Sequence, residues 1–179
     1  VETAAISFET EAPNEQEIRR RIVDTLRWAP WLVCTRHQEV VGYVYASRHH
    51  ERAAYGWSVD VSAYVRLDQR RRGVGRALYT SLFGLLRLQG YYAAHAGITL
   101  PNAASVALHE TMGFRLIGVY PAVGFKLGSW HDVGWWQLTL RDRVGTPAPI
   151  GNMGELEGTE AWKTALAAGV SLLRDGIVD

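Results

Sequence analysis

A chain of 179 residues suits one hydrophobic core better than two, since domains usually run to roughly 100–200 residues. Its 47% hydrophobic and 21% charged residues are the proportions of a folded globular protein, which excludes wholesale disorder. Lys and Arg number 19 against 18 for Asp and Glu, so no overall field points to nucleic acid or a membrane surface, and any anion site must be local.

From Asn14 to Trp28, Ile18, Ile22, Val23 and Leu26 recur at helical spacing, with Asn14 as N-cap and Pro30 closing the segment. Trp31–Arg36, Glu39–Ser47 and Trp57–Arg66 are rich in β-branched and aromatic residues and are separated by polar turns, which predicts three successive strands. The lone cysteine, Cys34, excludes an internal disulfide, fits a reducing compartment and is expected in the core. Val74 to Leu88 repeats apolar residues at i, i+4 (Val74, Leu78, Leu82, Leu86), the pattern of a helix lying on a sheet, and Gly90 ends it. Tyr91–Leu100 predicts a strand, Asn102–Gly113 a capped helix and Asp132–Leu140 a last strand. This order is that of a mixed α/β fold.

After Leu140 the composition shifts. Thr146–Gly158 predicts a linker, and Glu160–Arg174 an amphipathic helix with Trp162, Leu166, Gly169 and Leu173 on one face. The expected division is therefore a domain over residues 1–143 and a tail over 144–179 whose role the sequence does not disclose. No stretch approaches the ~18 apolar residues of a membrane span, and the first residues lack the order of a secretion signal, so the cytoplasm is expected.

The run QRRRGVGRAL, Gln69 to Leu78, takes the chain from a strand into a helix. Glycine lets such a backbone turn sharply, and the unpaired amides of the helix's first turn, with the positive end of its dipole, suit a phosphate. A Walker A loop would need a following Lys-Ser or Lys-Thr, and a dinucleotide fingerprint would need Gly or Ala where Leu78 stands; neither is present. Taken alone, the turn also fits a solvated basic loop. Nucleic-acid binding is not expected, because neither interleaved aromatics nor a second basic patch accompanies the arginines.

Arg70-Arg71-Arg72-Gly73-Val74-Gly75 resembles the pyrophosphate loop of the GNAT acyltransferases. Ala53–Val65, Leu100–Phe114 and Val123–Gln137 resemble, in order and spacing, the phosphinothricin and methionine sulfoximine acetyltransferase branch of that superfamily. The resemblance runs from Val1 to about Leu140. It implies a GNAT fold, a mixed and mostly antiparallel sheet flanked by helices, with acetyl-CoA as donor, an amino acid or analogue as acceptor, and a homodimer. Against the family pattern the chain is expected to begin inside the first helix, without the N-terminal strand.

The resemblance also assigns residues. Asp60 stands where the family carries its catalytic glutamate, and partial burial in Ser58-Val59-Asp60-Val61 would raise its pKa toward the range a general base needs. His109 matches a position holding a catalytic His or a Tyr that protonates the CoA thiolate. Arg70, Arg71, Arg72, Gly73, Val74, Gly75 and Arg76 are implied for the pyrophosphate, and backbone on Ala63, Tyr64 and Val65 for the carbonyl oxygen as charge builds on it. Asn102 is implied to reach the pantetheine, and is also a plain N-cap. Arg52, His50 and Tyr55 match acceptor-side positions, with Phe8 and Tyr45 as apolar walls. Tyr120-Pro121 stands where relatives commonly carry a basic residue, which weakens the case for phosphinothricin itself. Trp130, His131 and Asp132 are read as shaping the site or the dimer seam; no metal is expected there, because one His-Asp neighbour pair is a poor ligand set. A rival reading is a GNAT protein that binds acyl-CoA and has lost catalysis.

Overall fold

The computed structural model describes residues 4–174. Asn14 caps α1 (Glu15–Leu26), its side chain accepting from the Glu17 amide at 2.9 Å. Two short turns then link β1 (Trp31–Arg36), β2 (Glu39–Arg48) and β3 (Ser58–Val65), the three strands foreseen, with one turn of 3-10 helix at Ala53–Tyr55 before β3. α2 (Val74–Gln89) ends on left-handed Gly90. It is followed by β4 (Ala93–Leu100), α3 (Ala103–Thr111), β5 (Arg115–Lys126) and β6 (Ser129–Thr139).

The sheet order is β1-β2-β3-β4-β6-β5, antiparallel throughout except for β3 beside β4. Val44, Ala46, Val59, Val61, Ala94 and Ala96 pack with Leu78, Tyr79, Leu82 and Leu86 of α2 in the main core, against which Cys34 also packs. Because side chains alternate along a strand, Asp60 between Val59 and Val61 points to the opposite face.

β5 has no counterpart among the predicted strands. Its burial is almost uniformly low, Pro121 and two glycines, Gly118 and Gly124, interrupt it, and its register with β6 shifts between Leu116 and Gly118 and again between Tyr120 and Gly124. It is an edge strand, where a proline that donates no ladder bond is tolerated. No period-2 signal survives these breaks. Pairing with it starts β6 at Ser129 rather than Asp132.

The tail is closely packed. The predicted linker contains one helical turn, α4 (Met153–Leu156), and the predicted terminal helix stops at Ala167 as α5 (Glu160–Ala167), followed by a 3-10 turn at Val170–Leu172. Trp162, Met153 and Leu85 form a second small core between the tail and α2. The Ser81 hydroxyl donates to the Leu166 carbonyl at 2.7 Å and accepts from the Gly169 amide at 3.2 Å. Among the described residues no helix is long and apolar enough to cross a membrane.

Candidate active site

β3 and β4 pair only from Ser58 opposite Ala93 to Asp60 opposite His95. Beyond that point the strands part, and the gap opens into a cavity of about 910 Å³ whose walls include Val61–Val65, Ala96–Thr99, the first turn of α2 and one side of α3. Asp60 and His95 thus stand immediately before the first cavity-lining residue on each strand. The parting leaves backbone unpaired. The Trp57 carbonyl bonds the Tyr92 amide, while the Arg66 amide bonds Val41 on the β2 side. Alternation then turns the amides of Ala63 and Val65 toward the gap and that of Tyr64 toward β2. Tyr64 contributes its ring instead, stacked 5.0 Å from Tyr43.

At the other end of the cavity lies the glycine turn. Gly73 is the N-cap of α2, left-handed at φ 83°, and no side chain caps the helix, so its first-turn amides are free to meet an anion. Arg70, Arg71, Gly73, Val74, Gly75 and Arg76 line the cavity, and Arg72 does not. The Arg72 carbonyl instead accepts from the Arg174 amide at 3.1 Å. Leu172 and Arg174, from the tail, join the cavity wall. A Cβ at position 73 would lie 1.9 Å from the Leu172 carbonyl oxygen, so the close approach that requires glycine here is made by the chain's own tail. Gly73→Ala is expected to destabilise the fold by more than the about 1–2 kcal/mol that a left-handed non-glycine residue costs, because it also expels Leu172; urea unfolding measures this.

Asp60 is three-quarters buried on its sheet face, and its Oδ1 lies 2.7 Å from His49 Nδ1. Burial raises its pKa above the ordinary carboxylate value, a rise that the His49 hydrogen bond and charge partly offset. The His49 ring stacks on His95 with centroids 4.1 Å apart. Two buried nitrogens beside this group, His95 Nδ1 and Trp135 Nε1, have no hydrogen-bond partner among the described residues. Sequence reading missed His49, His95 and Trp135, because only the register of the strands brings them to Asp60.

His109 lines the cavity from α3 and is 5% exposed. Its Nδ1 lies 2.7 Å from the Ser105 carbonyl, which can only accept, so Nδ1 carries the hydrogen and Nε2 accepts from the Tyr79 hydroxyl at 2.8 Å. Burial lowers its pKa, which keeps the ring neutral, and raises that of Tyr79. Both ring nitrogens are therefore engaged, and the group His109 presents toward the cavity is the Tyr79 phenol that it holds. Asn102 accepts from the Ser105 amide at 3.2 Å as an N-cap and also lines the cavity.

The acceptor-side residues divide. Tyr55 stands edge-on to His49 with centroids 6.0 Å apart and stacks on His50 at 4.6 Å, beside the Asp60 group. Arg52 is exposed on the adjoining turn. Tyr45 stacks on Trp31 at 4.2 Å, across from Ser62. Phe8 packs instead on Gly124, where the Lys126 ammonium holds the Ser7 and Glu9 carbonyls. Asp132 accepts from the Ala122 amide, His131 bonds the Lys126 carbonyl, and Trp130 is exposed beside Phe125.

The acetyltransferase (GNAT) domain family matches residues 1–135. The chain is 39% identical over 150 residues to a phosphinothricin N-acetyltransferase of Streptomyces viridochromogenes, a match covering 84% of this chain and 81% of that one. It is 39% identical over 109 residues to an L-methionine sulfoximine/L-methionine sulfone acetyltransferase of Pseudomonas aeruginosa, covering 61% and 63%. A phosphinothricin acetyltransferase of Sinorhizobium meliloti, solved in complex with AcCoA, shares the fold with a TM-score of 0.75 at 31% identity, covering 88% of this chain and 83% of that one. A cavity opened by two parting parallel strands, an uncapped glycine turn at its mouth and a family match over three-quarters of the sequence lead to one conclusion: the chain belongs to the GNAT acetyltransferase family.

Proposed function

We propose that the protein transfers the acetyl group of acetyl-CoA to the α-amino group of an amino acid or amino-acid analogue of the phosphinothricin or methionine sulfoximine type. One observation carries this reading: the cavity runs from the uncapped glycine turn to the point where β3 and β4 part, beside a three-quarters-buried carboxylate. The residues fit the donor. Free amides of α2 and the side chains of Arg70, Arg71 and Arg76 suit the pyrophosphate, and Asn102 on the α3 wall suits the pantetheine. Acetyl-CoA supplies an activated carbonyl carbon.

An ammonium must lose a proton before its nitrogen can attack, and the basic centre is built on Asp60. The amides of Ala63 and Val65 face the position where negative charge builds on the carbonyl oxygen. Tyr79 would give a proton to the departing sulfur by turning its hydroxyl hydrogen away from His109 Nε2. His95 Nδ1 and Trp135 Nε1, buried and unpartnered, are what polar groups of the acceptor would satisfy, with Tyr55 and Arg52 at the entrance. Leu172 and Arg174 make the tail part of the donor site.

Thiol release from acetyl-CoA, followed with phosphinothricin, methionine sulfoximine, methionine sulfone and the common amino acids in turn, tests the reading. Release with at least one of these amines is expected. Tight CoA binding with no turnover on any of them would establish the rival, a CoA-binding protein without catalysis.

The same reading places the protein in the cytoplasm, where its lone, core-packed Cys34 stays reduced, and makes it a homodimer through β5 and β6. β5 is an edge strand, and Leu116, Ile117, Tyr120, Val123, Phe125 and Trp130 stand more than half exposed along this hairpin. Sedimentation should find a dimer, and Trp130→Glu should shift it toward monomer. A monomeric parent at micromolar concentration would contradict the assignment.

A further inference from the structure

Among the described residues, His49, Asp60 and His95 place their ligating atoms within 4.8 Å of one another, a spacing that also suits a metal ion. The imidazole rings rule against that use, because they stack with planes only 16° from parallel. A ring nitrogen's lone pair lies in the plane of its ring, and two nearly parallel planes several ångströms apart share no nearby point where one cation meets both. The same arrangement suits proton transfer.

The Asp60 carboxylate only accepts hydrogen bonds, so His49 Nδ1, 2.7 Å away, carries the hydrogen and Nε2 keeps a lone pair. Among the described residues no group bonds His49 Nε2. The ring is held on several sides: it stacks on His95, stands edge-on to Trp135 at 6.2 Å and edge-on to Tyr55 at 6.0 Å. A quarter of its side chain reaches solvent. An aspartate on a strand extends one carbon beyond its Cβ, and an imidazole bonded to it carries the basic atom a ring's width further out.

We propose that His49 Nε2 is the atom that takes the proton from the acceptor's ammonium, while Asp60 fixes the tautomer and stabilises the imidazolium. This is the division of labour between histidine and aspartate in a Ser-His-Asp triad, reached here on a different fold. The proposal rests on the acetyl-transfer reading above and specifies its basic atom. One ammonium N–H bond breaks and its proton passes to His49. The freed lone pair forms the N–C bond to the thioester carbonyl, and the C–S bond breaks with its electrons going to sulfur. The Tyr79 hydroxyl protonates the sulfur and a second proton from the nitrogen replaces it, the third remains on the amide, and His49 returns its proton to solvent. The titratable groups facing His49 are Asp60 from β3, His95 from β4 and Tyr55 from the turn before β3.

His49→Asn tests this, because the asparagine amide can still donate to Asp60 but has no basic nitrogen. The variant should lose at least ~100-fold in kcat/KM for the best amine, with acetyl-CoA affinity unchanged by calorimetry. In His49→Ala, added imidazole should restore turnover in proportion to its concentration. A His49→Asn enzyme keeping more than about half of the parent kcat/KM, or a His49→Ala enzyme that imidazole leaves unchanged, would reduce His49 to a support for Asp60 and overturn the proposal. Failure of the parent enzyme to acetylate any amine overturns the acetyl-transfer reading as well, so the two failures are told apart by the parent.

Discussion

Asp60→Asn is expected to lower kcat by at least ~100-fold, the usual contribution of a general base, while acetyl-CoA binds nearly as before. The split follows from the layout. Asp60 stands outside the wall of the cavity proposed for the donor, at the last paired position of β3 and β4, so on this reading its loss removes the basic centre and leaves the arginines and the free amides of α2 untouched. An amide at position 60 also accepts from His49 without holding that ring in one tautomer or stabilising its charge. The stability effect has the opposite sign. Burial lifts the Asp60 pKa above its unfolded value. A carboxyl shifted upward favours the folded state only where it is protonated, at acidic pH, and this contribution is lost as pH rises through the folded pKa. At neutral pH the charge therefore works against folding, and Asp60→Asn should melt at a higher temperature than the parent. Catalytic groups often stand at such a stability disadvantage. Steady-state kinetics with a thermal melt reads both; a variant with the parent's rate would remove Asp60 from the mechanism.

Trp162→Ala should produce the largest loss of stability, about 3–5 kcal/mol, which is the range for truncating a buried tryptophan. Trp162 is 8% exposed and fills the small core with Met153 and Leu85, remote from both Asp60 and the glycine turn in sequence. Its effect on catalysis should nevertheless be specific. The tail that Trp162 anchors delivers Leu172 and Arg174 to the wall of the cavity proposed for the donor and the Arg174 amide to Arg72. At temperatures where the variant remains folded, KM for acetyl-CoA should rise several-fold, on the order of 1 kcal/mol of lost donor contact, with kcat changing less. Urea unfolding and donor-dependent kinetics measure the two effects. An unchanged KM would show that the tail stabilises α2 without serving the donor.

Local features proved readable in advance. The Asn14 cap, the alternation of β1 to β3, the apolar stripe of α2 and its stop at Gly90 depend on neighbours a few residues apart, which is the range over which propensity and periodicity act. β5 escaped because its exposed edge position and its glycine and proline breaks erase the alternation that marks a strand. Contacts between distant segments were beyond reach. The sequence offers a ligand as the reason for Gly73, whereas the atom packed on it is the Leu172 carbonyl from the opposite end of the chain. His95 reads as an ordinary strand residue until parallel pairing sets it opposite Asp60, and Tyr79 reads as core until the tautomer of His109 is worked out from Ser105. The candidate site was thus legible where family spacing marks it, at Asp60, His109, Asn102 and the glycine turn. The residues that complete it, His49, His95, Trp135, Leu172 and Arg174, are brought there by tertiary structure.

The most direct test of acetyl transfer to an amino-acid amine is the structure of the product. The protein, incubated with acetyl-CoA and the amine that releases most thiol, should yield a compound one acetyl group heavier, with that group on the α-nitrogen by NMR and one equivalent of free CoA formed alongside. Free CoA without an acetylated amine, or an acetyl group found elsewhere than on nitrogen, would contradict the account.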